Sequence, residues 1–245
     1  MNINEVSPKD ISITSFNVKD NLCPLIWENE KIDNTIRLHL LKIAKDFYSA
    51  LSVSWVKVHD VILTGSLANY NWSTYSDFDI HILINYDDVD DDYDMVVEYL
   101  KSIKTVWNNE HDILIKGFDV ELYIQDTMEE HNSTGIYSLI NDNWVIKPQK
   151  IDETFNKDVV KNKIALILNK VDYYQKIIDE GNYSDGSEKA SQLWDKIKRM
   201  RITSLAKKGE MSNGNIIFKG LRRLGYIEKL NDIIIDAYDK SASIT

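Results

Sequence analysis

Asp77 and Asp79 stand two residues apart in YSDFDIHILI, at the start of an otherwise apolar run. A buried charge without compensation is costly, so two carboxylates entering a strand need partners. Side chains at i and i+2 of a strand share a face, which predicts that Asp77 and Asp79 project together with His81 beside them. A second acidic pair, Asp119 and Glu121 in FDVELYIQ, shares a face of its own strand by the same rule. Where two such strands are neighbours, three or four carboxylates converge and repel one another unless a cation sits among them. Hard oxygen ligands of this kind suit Mg²⁺ or Mn²⁺ better than zinc. Two such ions form the clamp used for in-line phosphoryl and nucleotidyl transfer.

Gly65 and Ser66, at the end of DVILTGS, supply the complementary chemistry. Glycine lets a backbone approach a phosphate closely, and the serine hydroxyl can donate to one. A helix starting at Ser66 would add its first amides to the same anion. The Gly-Lys-Ser/Thr of a Walker-type loop is absent from the chain. Taken singly, a Gly-Ser pair is an ordinary turn and an Asp-x-Asp an ordinary surface loop. Here a strand ends in Gly-Ser, an apolar strand with paired Asp follows within eleven residues, and an acidic strand comes later. That combination is far narrower than its parts.

The elements that must position these groups are legible as periodicity. Asp33 caps an expected helix over 34–51, with Ile36, Leu40, Ile43, Ala44 and Phe47 at helical spacing. Strands are expected over 60–65, 77–86 and 118–125, and the start of a helix over 66–70. The acidic stretch DDVDDDYD leads into a helix through Leu100 and Ile103, while GIYSLI and NWVIKP fit either a strand pair or a helix pair. After Pro148 the pattern turns helical: Val160, Ile164, Ile167, Val171, Tyr174 and Ile178 form one stripe. A loop is expected at EGNYSDGSE, then a second stripe through Ala190, Leu193, Trp194, Ile197 and Met200, then a last helix over 227–238. The expected organisation is an α/β unit over 1–150 followed by a helical unit over 151–245.

The chain has 245 residues and a formal net charge of −10 that is unevenly spread. From Lys150 onward there are 18 basic and 14 acidic residues; before it there are 11 and 25. Basic residues are densest between Lys196 and Arg223, with nine against the single acid Glu210. Such asymmetry suits a polyanionic ligand, and a solvated helix face is the competing explanation. Lys198 and Arg201 share a helical face and are candidates for phosphate contact. Cys23 is the sole cysteine, which excludes an intrachain disulfide and a cysteine-rich zinc site and fits a reducing, cytoplasmic setting. No apolar run reaches membrane-spanning length, and the polar start MNINEVSPKDISIT lacks a signal-peptide pattern. Tyr70, Trp72 and Tyr75 could stack a base or simply pack, and His111 and His131 are not expected as ligands.

At Gly65-Ser66, Asp77-Phe78-Asp79 and the acidic strand at 118–125, the sequence resembles the nucleotidyltransferase superfamily of the DNA polymerase β type. Longer stretches, LANYNWSTYSDFDIHI, VELYIQD, STGIYSLINDNWVIKP and SNGNIIFKGLRRLGYIEKL, resemble predicted nucleotidyltransferases of phages and bacteria. The resemblance implies an α+β fold, a mixed sheet flanked by helices, with a C-terminal helical unit. It implies two divalent ions held by Asp77, Asp79 and a third acid, a triphosphate held by Gly65 and Ser66, and transfer of a nucleoside monophosphate to a hydroxyl with release of pyrophosphate. For the third acid the resemblance favours Glu121 over Asp119, because it runs through VELYIQ. The acceptor (an RNA end, a protein side chain, a small molecule or a second nucleotide) is left open. Two alternatives remain beside it: a non-catalytic nucleotide- or RNA-binding module of the same fold, and an Asp-x-Asp glycosyltransferase. The second does not account for Gly65-Ser66 or the later acidic strand.

Overall fold

The computed structural model describes residues 5–130, 133–150 and 155–243. The chain divides into two compact units, Val18–Asp152 and Met1–Asn17 with Glu153–Thr245. The unit that carries the sheet thus starts at Val18. The segment before it is tied to helices of the other unit: Asn169 bonds both the amide and the carbonyl of Val6, at 2.8 and 3.1 Å, and Arg223 donates to Ser15 Oγ at 2.6 Å.

In the first unit, β1 (Trp27–Glu28) and β2 (Lys31–Ile32) form a hairpin, and α1 (Asn34–Ala50) follows. Asp33 caps α1 as expected, accepting from the Ile36 amide at 3.0 Å. Then come β3 (Val58–Thr64), β4 (Phe78–Ile84), α2 (Tyr93–Glu110), β5 (Leu114–Ile115), β6 (Phe118–Asp126), β7 (Ile136–Ser138) and β8 (Asn143–Ile146). The six-stranded sheet is open, in the order β5-β6-β4-β3-β7-β8. Only β4 and β6 run parallel; every other neighbouring pair is antiparallel. A parallel pair needs a crossover, and α2 provides it between β4 and β6. The fold is therefore α+β with a mixed sheet.

Alternation sets the faces. In β4, Phe78, Ile80, Ile82 and Ile84 are fully buried, while Asp79, His81 and Leu83 are half-buried on the other face. In β6, Phe118, Val120 and Leu122 are buried, with Glu121 and Tyr123 on the opposite face. The apolar face meets α1 and α2 through Leu40, Ala44, Phe47, Val96 and Leu100. GIYSLI and NWVIKP resolve as the β7–β8 hairpin, its turn including Asp142 at φ 54°.

Two local expectations change. The expected helix after Gly65 is one 3₁₀ turn, Ser66–Ala68. Asn69 ends it: its side chain donates to the Gly65 carbonyl at 2.7 Å and its backbone turns extended. The expected loop at EGNYSDGSE shrinks to three residues between α3 (Lys157–Asp179) and α4 (Tyr183–Lys208). Gly186 lies inside α4, where a Cβ would come within 2.4 Å of Ile178 Cγ1. The glycine is a close helix crossing, not a loop residue. α5 (Asn213–Arg223) and α6 (Tyr226–Ala242) complete this unit around a core that includes Ile164, Val171, Ile197, Leu221 and Leu230. Among the described residues no helix is long and apolar enough to cross a membrane.

Candidate metal centre

The parallel register of β4 and β6 sets Asp79 directly beside Glu121 and His81 beside Tyr123. Asp77, one residue before β4, completes the group: Asp77, Asp79 and Glu121 each offer a carboxylate oxygen, all within 4.8 Å of one another, and all three are half-buried. Three acids at such separations repel unless a cation or proton offsets them. The donors are all hard oxygens, which fits a divalent cation of the Mg²⁺ or Mn²⁺ kind and not a thiolate- or imidazole-binding metal. Asp119 is exposed on β6, opposite Leu114 of β5, and is outside the group.

Gly65 meets this group from the end of β3. Thr64 pairs with Asp79 across the β3–β4 ladder, which brings the next residue under the Asp79 side chain. A Cβ on Gly65 would lie 1.7 Å from Asp79 Oδ2, and Gly65 has φ 73°. Both the space and the backbone conformation require glycine. Ser66 Oγ lies 2.7 Å from the hydroxyl of buried Ser76, which also accepts from the Ser73 amide at 3.0 Å. Ser76, the residue before Asp77, therefore ties the Gly-Ser turn to the start of the acidic strand. From behind, Trp27 Nε1 donates to the Leu67 carbonyl at 2.7 Å and pins the same turn.

A second layer holds Glu121. The Tyr123 hydroxyl donates to Glu121 Oε2. Tyr123 stacks on His81 with centroids 4.7 Å apart, and Lys104 Nζ sits over its ring at 4.6 Å. Burial first, then the Glu121 hydrogen bond and the charges of Glu121, Asp79 and Asp77, push the phenol well above its usual range. Tyr123 thus stays a neutral donor to the carboxylate. Next to it, the Asn108 side chain of α2 bonds both the amide and the carbonyl of Leu122, at 3.1 and 3.0 Å. It replaces a strand neighbour where β5 is too short to reach. A cleft of about 490 Å³ opens beside the group, lined by Glu121, Tyr123, Asp119, Lys104 and His111.

The structure therefore brings Gly65, Ser66, Asp77, Asp79 and Glu121 together in the sheet unit. Lys198 and Arg201 lie on α4 of the helical unit. There Lys198 pairs with Asp195 at 3.1 Å, and the Arg201 guanidinium lies 4.2 Å from the Phe218 ring centroid. His111 Nδ1 lies 2.9 Å from the Trp107 carbonyl, and its ring stacks on that of Trp107. His131 lies outside the described residues. Trp72 donates to the Asn21 carbonyl at 2.9 Å, and Tyr75 is exposed. Sequence reasoning missed Tyr123 and Asn108. Tyr123 was within reach, two residues past Glu121 on the same strand face; nothing in the sequence marks Asn108. Comparisons with protein-family models, with curated proteins and with solved structures found no match.

Proposed function

We propose that this chain is a metal-dependent nucleotidyltransferase that moves a nucleoside monophosphate from an NTP to an acceptor hydroxyl. The observation that carries the reading is the convergence of Asp77, Asp79 and Glu121 within 4.8 Å, beside a Gly-Ser turn whose glycine lies under Asp79. Asp77, Asp79 and Glu121 would hold two divalent ions, Mg²⁺ or Mn²⁺. Such ions, when bound, neutralise charge on the triphosphate and on the attacking oxygen. Gly65 gives the triphosphate close backbone approach, and Ser66, linked to Ser76, offers its hydroxyl. The cleft beside Glu121 seats the acceptor. Its hydroxyl oxygen bonds to the α-phosphorus, the bond from that phosphorus to the bridging oxygen breaks, and pyrophosphate leaves. Glu121, held by Tyr123, is placed to take the hydroxyl proton.

The test is incubation of the protein with each α-labelled NTP, Mg²⁺ or Mn²⁺, and total cellular RNA and protein. Wild type should transfer label and release pyrophosphate, and Asp77→Asn/Asp79→Asn should do neither. Glu121→Gln should lower kcat by at least about a hundredfold, the scale of a lost general base, while Asp119→Asn retains most activity. Tight NTP binding without pyrophosphate release from any acceptor would replace the enzyme with a binding module. Release of sugar from a nucleotide-sugar would replace it with a glycosyltransferase.

A further inference from the structure

Of the nine basic residues between Lys196 and Arg223, Arg222 and Arg223 stand apart from the α4 groove, and the other seven separate into two sets. Lys198 pairs with Asp195, Arg201 covers Phe218, and Lys219 pairs with Glu210 at 2.6 Å. Glu210 is the only acid in this segment, so Lys219 already offsets it. Lys196, Arg199, Lys207 and Lys208 are exposed, and among the described residues no carboxylate lies within ion-pair distance of any of them. These four line one groove of about 580 Å³, together with Thr203 and Ser204.

The groove follows a helical stripe. Lys196, Arg199, Thr203 and Lys207 recur at three- and four-residue spacing along α4. Eleven residues of helix rise about 16 Å, several times the roughly 3.4 Å rise per nucleotide of a stacked strand. At its end the wall includes Asn213, the first residue of α5. Ser212, just before it, is 1% exposed and makes no cap to the helix; its Oγ has no hydrogen-bond partner among the described residues. The α5 N-terminus is capped from α4 instead: the Gly214 amide donates to Ser204 Oγ at 3.0 Å.

We propose that this α4–α5 groove binds the backbone of single-stranded RNA. Four cations with no counter-charge match a row of phosphates, and their spread exceeds what one phosphate group can use. Exposed Thr203 sets a hydroxyl along the wall where a 2′-hydroxyl can meet it, while Ser204 Oγ and Asn213 Oδ1 already accept from the Gly214 and Asn156 amides at 3.0 and 2.8 Å. The groove stands without the nucleotidyl-transfer reading, since none of its residues belongs to the acidic group.

Fluorescence anisotropy of a labelled 20-nucleotide RNA on the full chain tests it. Four phosphate contacts give a slope of log affinity against log salt of about −3, so affinity should fall about 50-fold between 50 and 200 mM salt. Lys196→Ala/Arg199→Ala/Lys207→Ala/Lys208→Ala should weaken binding at least about tenfold and flatten the slope. Lys207→Ala/Lys208→Ala, which removes half the charge, should fall in between. The charge-matched control Lys42→Ala/Lys45→Ala/Lys57→Ala/Lys101→Ala should bind as wild type does. Asp77→Asn/Asp79→Asn should also bind, and a wild type that binds RNA but transfers no label would count against the enzyme and not against the groove. Equal binding by the wild type and the groove variant would overturn the proposal. So would equal binding of DNA of the same sequence, tighter binding of a duplex, or competition by inorganic triphosphate at matched phosphate concentration.

Discussion

Asp79 reaches its neighbours because nothing occupies the space over the Gly65 Cα. In Gly65→Ala the new methyl would meet Asp79 Oδ2 at 1.7 Å, in a backbone at φ 73°. With ψ −162° as well, this is a backbone region essentially reserved for glycine, which costs an L-residue about 1–3 kcal/mol, and the carboxylate must swing away to make room. The sheet does not depend on that swing, so Gly65→Ala should fold with a modest loss of melting temperature. It should bind Mn²⁺ at least about tenfold more weakly, a difference of about 1.4 kcal/mol, by titration calorimetry. Unchanged Mn²⁺ affinity would mean that the position of Asp79 does not depend on Gly65. Much of this centre could be read from residue types alone. Asp77, Asp79 and Glu121 are on one side of their strands because alternation demands it. Whether Glu121 or Asp119 joins the group could not be read that way, because both are on the same side. The β4–β6 register decides it by setting Glu121 beside Asp79.

At the level of elements, alternation and capping were visible and substitution of one partner for another was not. The buried residues of β4 and the Asp33 cap of α1 follow from local spacing. The arrest of the helix at Asn69, the Asn108 clasp on β6 and the passage of α4 through Gly186 depend on contacts remote in sequence. The β7–β8 turn shows how such contacts act on stability. Asp142 accepts from Tyr137 Oη at 2.7 Å and pairs with Lys31 at 3.2 Å, with Arg37 at 3.6 Å. The phenol hydrogen bond, then the nearby cations, hold its carboxyl below the usual carboxylate range, while burial and this contact push Tyr137 up to about 12. The folded pKa lies below the unfolded value of about 3.9. Its stabilisation is thus full above that pH and lost as pH falls through the folded value. Asparagine tolerates the positive φ at this position, so Asp142→Asn removes the charge and leaves the turn. Urea midpoints should be lower for Asp142→Asn at pH 7 and should converge with wild type as pH falls below the folded pKa of Asp142. A difference that persists unchanged into acid would assign the effect to the amide's geometry and not to charge.

On the scale of the whole molecule, the acidic group stores repulsion within one of two units that have their own cores. The chain before Lys150 is already rich in carboxylates, so its long-range field adds to the local one. Removing one charge from the group should relieve that repulsion. Asp77→Asn is therefore expected to melt at or above the wild-type temperature in EDTA. With Mn²⁺ the order should reverse. A ligand that binds only the folded state stabilises it by about 2.7 kcal/mol at a hundredfold excess over its Kd. Wild type should gain that and Asp77→Asn should lose most of it. Two units with separate cores can unfold in separate transitions, and differential scanning calorimetry can then assign the gain. Only the transition of the Val18–Asp152 unit should rise with Mn²⁺, and in Asp77→Asn/Asp79→Asn neither should. A rise that survives in the double variant would mean that the ion binds elsewhere. A wild type indifferent to Mn²⁺, with Asp77→Asn less stable in EDTA, would make the three acids a structural cluster held by Tyr123 and its neighbours. In that case the carboxylates are satisfied by the protein itself, and the reading of the chain as a metal-dependent enzyme fails with them.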